Sequence, residues 1–157
     1  YTKNNITSQD FIFLISLMII DETDNSEYFL YKFNISNEDK KRIRFLQNVF
    51  SKPLDRKTFS EKNLWKMLYY NNKNYLNDLI NFQIYRSKKI DKKLIKLKEF
   101  FSHQLPPKFN VKAKFLMEKF NLKEGKELGQ KIKEIEIAWI NNSFKITDKQ
   151  IEKIING

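Results

Sequence analysis

Residues 124–144 read EGKELGQKIKEIEIAWINNSF. The chain contains three glycines, and two of them, Gly125 and Gly129, stand four apart at the mouth of this stretch. Beyond them Leu128, Ile132, Ile135 and Trp139 recur at the spacing that lines one face of a helix. Glycine weakens a helix interior, so its repetition here calls for a reason. Gly125 suits the tight turn that enters the helix, and Gly129, one turn later, leaves room for a backbone or a phosphate to come close. Close packing of a second helix at Gly129 would use the same room. The helix N-terminus presents unpaired N–H groups to an anion. Lys112, Lys114, Lys119, Lys123, Lys126, Lys131 and Lys133 cluster around it in sequence.

That cluster belongs to a wider imbalance. Of a net charge of +11, residues 86–135 carry +9, with 15 Lys or Arg against 6 Asp or Glu. Such a block points to a polyanion, because each lysine near a phosphate releases condensed counterions. Lys, Asn and Ile are abundant throughout, as in a protein from an AT-rich genome. Composition bias inflates lysine without placing it, so its concentration favours a function over a solvated coat.

Working outward, apolar spacing predicts helices nearly everywhere. Ser8 caps a first helix running to about Ile20. Residues 21–35, DETDNSEYFLYKFNI, read as a loop, with a short strand as the alternative because Phe29, Tyr31, Phe33 and Ile35 alternate. Ser36 and Asp39 resemble a capping box opening a helix to Phe50, with Ile43 and Leu46 inward and Pro53 ending it. Ser60 caps a helix carrying Leu64, Trp65 and Leu68. Asn71-Asn72 precedes one with Leu76, Leu79, Ile80 and Gln83 in register. Asp91 starts another, with Ile90, Leu94, Leu97 and Phe101 at helical spacing. Pro106-Pro107 breaks the chain. A short helix around 114–120 follows, then the long helix of the opening stretch. A last helix is announced by a Thr147–Gln150 capping box and an Ile146–Ile151 staple. The expected fold is all-α: a helical body over residues 1–105 and a smaller helical subdomain over residues 106–157.

Much chemistry is excluded. The chain has no cysteine and one histidine, His103, so thiolate sites, disulfides and multi-histidine metal sites are ruled out. GKELG lacks the Lys-Ser end of a phosphate loop. Asp21, Glu22 and Asp24 read as a solvated loop rather than a metal site. The apolar run Phe11–Ile20 is about half the length needed to span a bilayer and reads as a buried helix. No membrane partner is expected.

Residues 109–144, FNVKAKFLMEKFNLKEGKELGQKIKEIEIAWINNSF, resemble the C-terminal segment of bacterial-type tRNA nucleotidyltransferases (CCA-adding enzymes) and the related poly(A) polymerases. The family pattern is F-P-x-x-G-x-D-L, a turn with P-G-x-x-x-G, then L-x-x-x-E-x-x-W and a closing F. Phe109, Leu116, Gly125, Gly129, Ile132, Glu136, Trp139 and Phe144 stand in the matching places. LWKMLYYNNKNYLNDLI (64–80) and ISNEDKKRIRFL (35–46) are similar to the family's body. The Gly and Asp of G-x-D-L are Ala113 and Phe115 here, and the Pro before the first Gly is Glu124.

The resemblance implies the RNA-gripping body and tail of such an enzyme. The family's catalytic head has a G-S motif and a metal-binding D-x-D pair, and neither is in this sequence. The neck motif E-D-x-x-R is matched by Glu38, Asp39 and Arg42, but in the body-like segment, so its nucleotide-selecting role is not carried over. What is expected is a tRNA- or RNA-binding region without catalysis of its own, with Lys112, Lys114, Lys119, Lys123, Gly125, Lys126, Gly129, Lys131 and Lys133 as the phosphate-contacting set. Trp139 and Phe144 are expected in the core. No cofactor is expected; magnesium would belong to a separate head. The alternatives are a non-catalytic RNA-binding protein of a ribonucleoprotein, such as an organellar ribosome, and a helical protein-interaction module. The expected compartment is the cytoplasm or an organelle such as the mitochondrion.

Overall fold

A computed structural model of the chain describes residues 10–21, 23–51, 54–55 and 57–157. Among them the secondary structure is helical throughout, with nine helices and no strand. The fold is all-α. The chain divides into two compact units, one ending at Pro106 and the other beginning at Pro107.

The first unit contains α1 (Phe11–Ile19), α2 (Asn25–Lys32), α3 (Asn37–Phe50), α4 (Glu61–Tyr70), α5 (Lys73–Arg86) and α6 (Lys92–Ser102). Most of these start where a short polar side chain takes up an orphan N–H. The Asp10 carboxylate accepts from Phe13 N, Ser36 Oγ from Asp39 N, Ser60 Oγ from Asn63 N, and Asn72 and Asp91 each from two N–H groups. Each such cap stabilises its helix by about 1 kcal/mol. At Ser36 the reciprocal half differs from the expected box: the Asp39 carboxylate accepts from the Ser36 hydroxyl at 2.7 Å.

Helix α5 packs against α1, α3, α4 and α6. Surrounded in this way, it buries Leu76, Leu79, Ile80 and Phe82, which together cover more than one face. Ile43, Leu46, Leu64, Leu68 and Phe101 complete the core around it. Phe82 was not in the expected register and is fully buried, while Gln83 is half-buried.

Some expectations are corrected, and others fall outside the described residues. Helix α1 is capped by Asp10, and Ser8 lies outside the described residues. Pro53 also lies outside them, and α3 closes at Ser51. Residues 21–35 hold a helix instead of a loop or strand. The alternating aromatics concealed it, because Phe29 and Phe33 are also an i,i+4 pair, with ring centroids 4.8 Å apart. Ser26 and Leu30 point inward at the same interval, and Tyr31 is left in solvent. Ile90 precedes the α6 cap and is exposed.

The second unit contains α7 (Ala113–Phe120), α8 (Lys126–Asn141) and α9 (Asp148–Asn156) around Leu116, Leu128, Ile135 and Ile151. At the α9 start both halves of the capping box form: Thr147 N donates to Gln150 Oε1 at 2.9 Å, and Gln150 N to Thr147 Oγ1 at 3.4 Å. Ile146 packs on the cluster that contains Ile151. No helix among the described residues is long and apolar enough to cross a membrane.

Candidate nucleic-acid interface

Helix α8 begins at Gly125, whose φ of 149° and ψ of −165° lie where a side chain is strained. With no side chain at the cap, no side-chain oxygen takes up the first-turn N–H groups. Lys126, Gly129, Gln130 and Lys133 follow at i, i+3, i+4 and i+7 and share an exposed face. The buried stripe of Leu128, Ile135 and Trp139 lies on the opposite side. Ile137, 55% exposed, extends the solvent face toward the C-terminal end. Apart from its chain neighbours and the backbone of its own helix, no heavy atom of the described residues lies within 4 Å of where a Cβ at Gly129 would stand. Among the described residues of this unit, close packing of another helix is therefore not the reason for this glycine.

The seven lysines separate into two kinds. Lys119 and Lys131 hold the unit together. The Lys119 ammonium bonds the Asp148 carboxylate in the first turn of α9 and lies 5.2 Å from the Phe115 ring centre. Half-buried Lys131 donates to the Ile154 carbonyl at 2.7 Å, in the last turn of α9, where a cation favours the helix dipole. Lys131 also lies 3.6 Å from Glu134. Lys114 sits 3.7 Å from Glu118 and is largely exposed. Lys112, Lys123, Lys126 and Lys133 are exposed.

Away from this face, where α8 presents Trp139, the unit carries an open cleft of about 630 Å³ between the extended segment 107–111 and the loop 144–148. Its lining includes Phe109, Phe115, Trp139 and Phe144, with Lys108 and Lys145. Trp139 is only 7% exposed and forms part of the wall, 5.3 Å from the Phe109 ring and 4.9 Å from the Phe144 ring, centre to centre. Phe144 is half-buried. The wall is fixed by the way α8 ends. Ser143 and Phe144 both adopt left-handed backbone, with φ of 55° and 62°, and Phe144 N donates back to Trp139 O at 2.8 Å. This is the long closing bond of a Schellman motif, and the Phe144–Trp139 contact is the apolar pairing that accompanies it. Lys108, Lys145 and Phe115 were not singled out as site residues from sequence; the wall takes shape only when segment 107–111 returns beside the α8 terminus.

The first unit holds a second polar cluster. Arg42 of α3 bonds Asp10 and Asp78 together: Nη1 donates to Asp10 Oδ1 at 2.9 Å and Nη2 to Asp78 Oδ1 at 2.7 Å. Further contacts to both carboxylates come from Nη2 and Nε. Burial pushes the Asp10 carboxyl upward, but hydrogen bonds from Arg42 and from Phe13 N outweigh it and hold it below the ordinary 3.8. At Asp78 burial wins, and the carboxyl rises above 3.8 against the pull of Arg42. A cavity of about 380 Å³ adjoins these groups, lined also by Glu38, Asp39 and several asparagines. Arg42 of the E-D-x-x-R pattern is thus committed to a structural network. Asp21 accepts from Thr23 and Asn25, and no group of metal-binding side chains occurs among the described residues.

No family model matches the chain, and no curated protein or solved structure matches it either.

Proposed function

We propose that this chain is an RNA-binding helical region, equivalent to the body and tail of a tRNA nucleotidyltransferase, that grips the phosphate backbone through the α7–α8 surface. The observation that carries this reading is Gly129. A glycine within a helix costs up to about 1 kcal/mol relative to alanine. Gly129 is the fourth residue of α8, and beyond the helix's own backbone nothing in the unit fills the space it leaves. Flanked on the same face by Lys126 and Lys133, it admits a backbone that needs both close approach and positive charge. The +9 charge of residues 86–135 supports the same partner. Recognition of this kind reads the shape and phosphates of an RNA helix rather than its bases. It assigns the chain holding rather than chemistry.

The test is binding to a deacylated tRNA and to an unrelated duplex RNA across a salt series. Tight tRNA binding with a steep salt slope is expected. Lys126→Ala and Lys133→Ala should each shallow the slope by about one phosphate contact. Absence of binding at low salt would overturn the reading.

A second reading, a non-catalytic scaffold within a ribonucleoprotein, is favoured by Ala113 and Phe115 standing where the resembled family has Gly and Asp. It predicts equal affinity for tRNA and duplex.

A further inference from the structure

We infer that the cleft between segment 107–111 and loop 144–148 takes a single unstacked base of RNA, with its phosphate on Lys108 or Lys145; this rests on the RNA reading above. The volume of about 630 Å³ falls in the range of roughly 300–1,000 Å³ typical of small-ligand sites. The lining is mixed in the way a nucleotide requires. Phe115, 37% exposed, offers an accessible ring beside the buried Trp139, and aromatic faces hold bases of any identity by stacking. Exposed Lys108 and Lys145 stand on the same lining, within reach of a phosphate, and exposed Asn110 offers an amide to a base edge.

Charge decides between possible occupants. The lining also holds Asp148, whose charge Lys119 meets. Lys108 and Lys145 therefore remain as cations that an apolar peptide side chain would leave idle and that a nucleotide's phosphate engages at one or the other. The lysine-rich face of α8 lies on the same unit but on the other side of the helix from Trp139. An RNA whose duplex rests there needs a single-stranded extension that rounds the helix to enter the cleft. A paired base cannot enter, because its faces are already covered by its neighbours.

The experiment compares the full chain's affinity for an RNA hairpin with a blunt end and for the same hairpin with a single-stranded extension of about six nucleotides. The extension should tighten binding roughly tenfold. Phe115→Ala should abolish that gain while leaving the blunt hairpin's affinity unchanged. Lys145→Ala, a surface substitution that leaves the core intact, should reduce the gain independently. Equal binding of the two hairpins overturns the cleft assignment and leaves phosphate binding standing. An extension gain that survives both substitutions places the base elsewhere and also overturns it. A concentration-dependent dimer that Phe115→Ala dissolves, with no extension gain, gives the cleft to a second copy and overturns it as well. If neither hairpin binds at low salt, the RNA reading falls together with the cleft.

Discussion

Arg42 joins two carboxylates that lie 32 and 36 residues away in sequence, Asp10 at the start of α1 and Asp78 in α5. Removing the guanidinium leaves Asp78 buried without its counter-charge, and breaking such a pair costs roughly 3 kcal/mol or more. Arg42→Met should therefore lower stability by about 3 kcal/mol in urea unfolding. Arg42→Lys should recover only part of that, since one ammonium cannot serve two carboxylates in a planar fork. The two aspartates respond oppositely to acid. Asp10 is depressed on folding, so its contribution is present above 3.8 and is lost as pH falls through its lower folded value. Asp78 is raised, so its contribution is fullest below 3.8 and is lost as pH rises through its folded value. Asp10→Asn keeps a helix cap, because Asn caps as well as Asp. It removes the first effect, and it also takes from Asp78 a neighbouring negative charge that helps hold its carboxyl up. Circular dichroism should show a smaller loss of stability in this variant than in the parent as pH falls below 3.8. At Gly129 the sign reverses. Gly129→Ala should raise stability by up to about 1 kcal/mol, because the added methyl meets nothing beyond its own helix backbone. The same substitution should weaken RNA binding, and a variant that is stabilised and binds unchanged would count against the phosphate approach.

At the scale of the element, helix ends carry the most readable information and the most accessible stability. Ser143 occupies the left-handed position that follows α8, with φ of 55°, where helices most often place glycine. Ser143→Gly relieves that strain and should raise stability by about 0.5–1 kcal/mol in thermal unfolding. Caps such as Ser36, Ser60, Asp91 and Thr147 were legible in the sequence because each acts on N–H groups two or three residues away. Helix α2 was not, since its aromatics satisfy a strand's alternation and a helix's four-residue interval at once. The inward face of α5 was misread at Phe82 because a helix enclosed by four neighbours has no single apolar stripe to find. The Arg42 network and the roles of Lys119 and Lys131 depend on partners 23 or more residues distant, beyond any local pattern. For the same reason a lysine that binds Asp148 and one that faces solvent look alike in the sequence.

At the scale of the whole molecule the dominant quantity is charge. A chain at +11 with most of that excess in residues 86–135 repels itself when compact. The Debye length falls to about 10 Å at 0.1 M salt, so the melting temperature should rise from low to moderate ionic strength. A polyanion should produce the same rise at a far lower concentration if it binds the folded state. A melting temperature that falls with salt would show that the surface ion pairs outweigh the repulsion. Pro106-Pro107, read from sequence as the break in the chain, stands where the two compact units meet along the chain, and each unit is described around its own core.

The empty space over Gly129 also makes the protein an obliging object for labelling. The chain has no cysteine, so Gly129→Cys would install a unique thiol at a helical site where nothing beyond its own helix backbone stands within 4 Å of its Cβ. A photocrosslinker carried there would sit between Lys126 and Lys133 and form its bond with whatever comes to that face, leaving a covalent record of the visitor that a mass spectrometer can read.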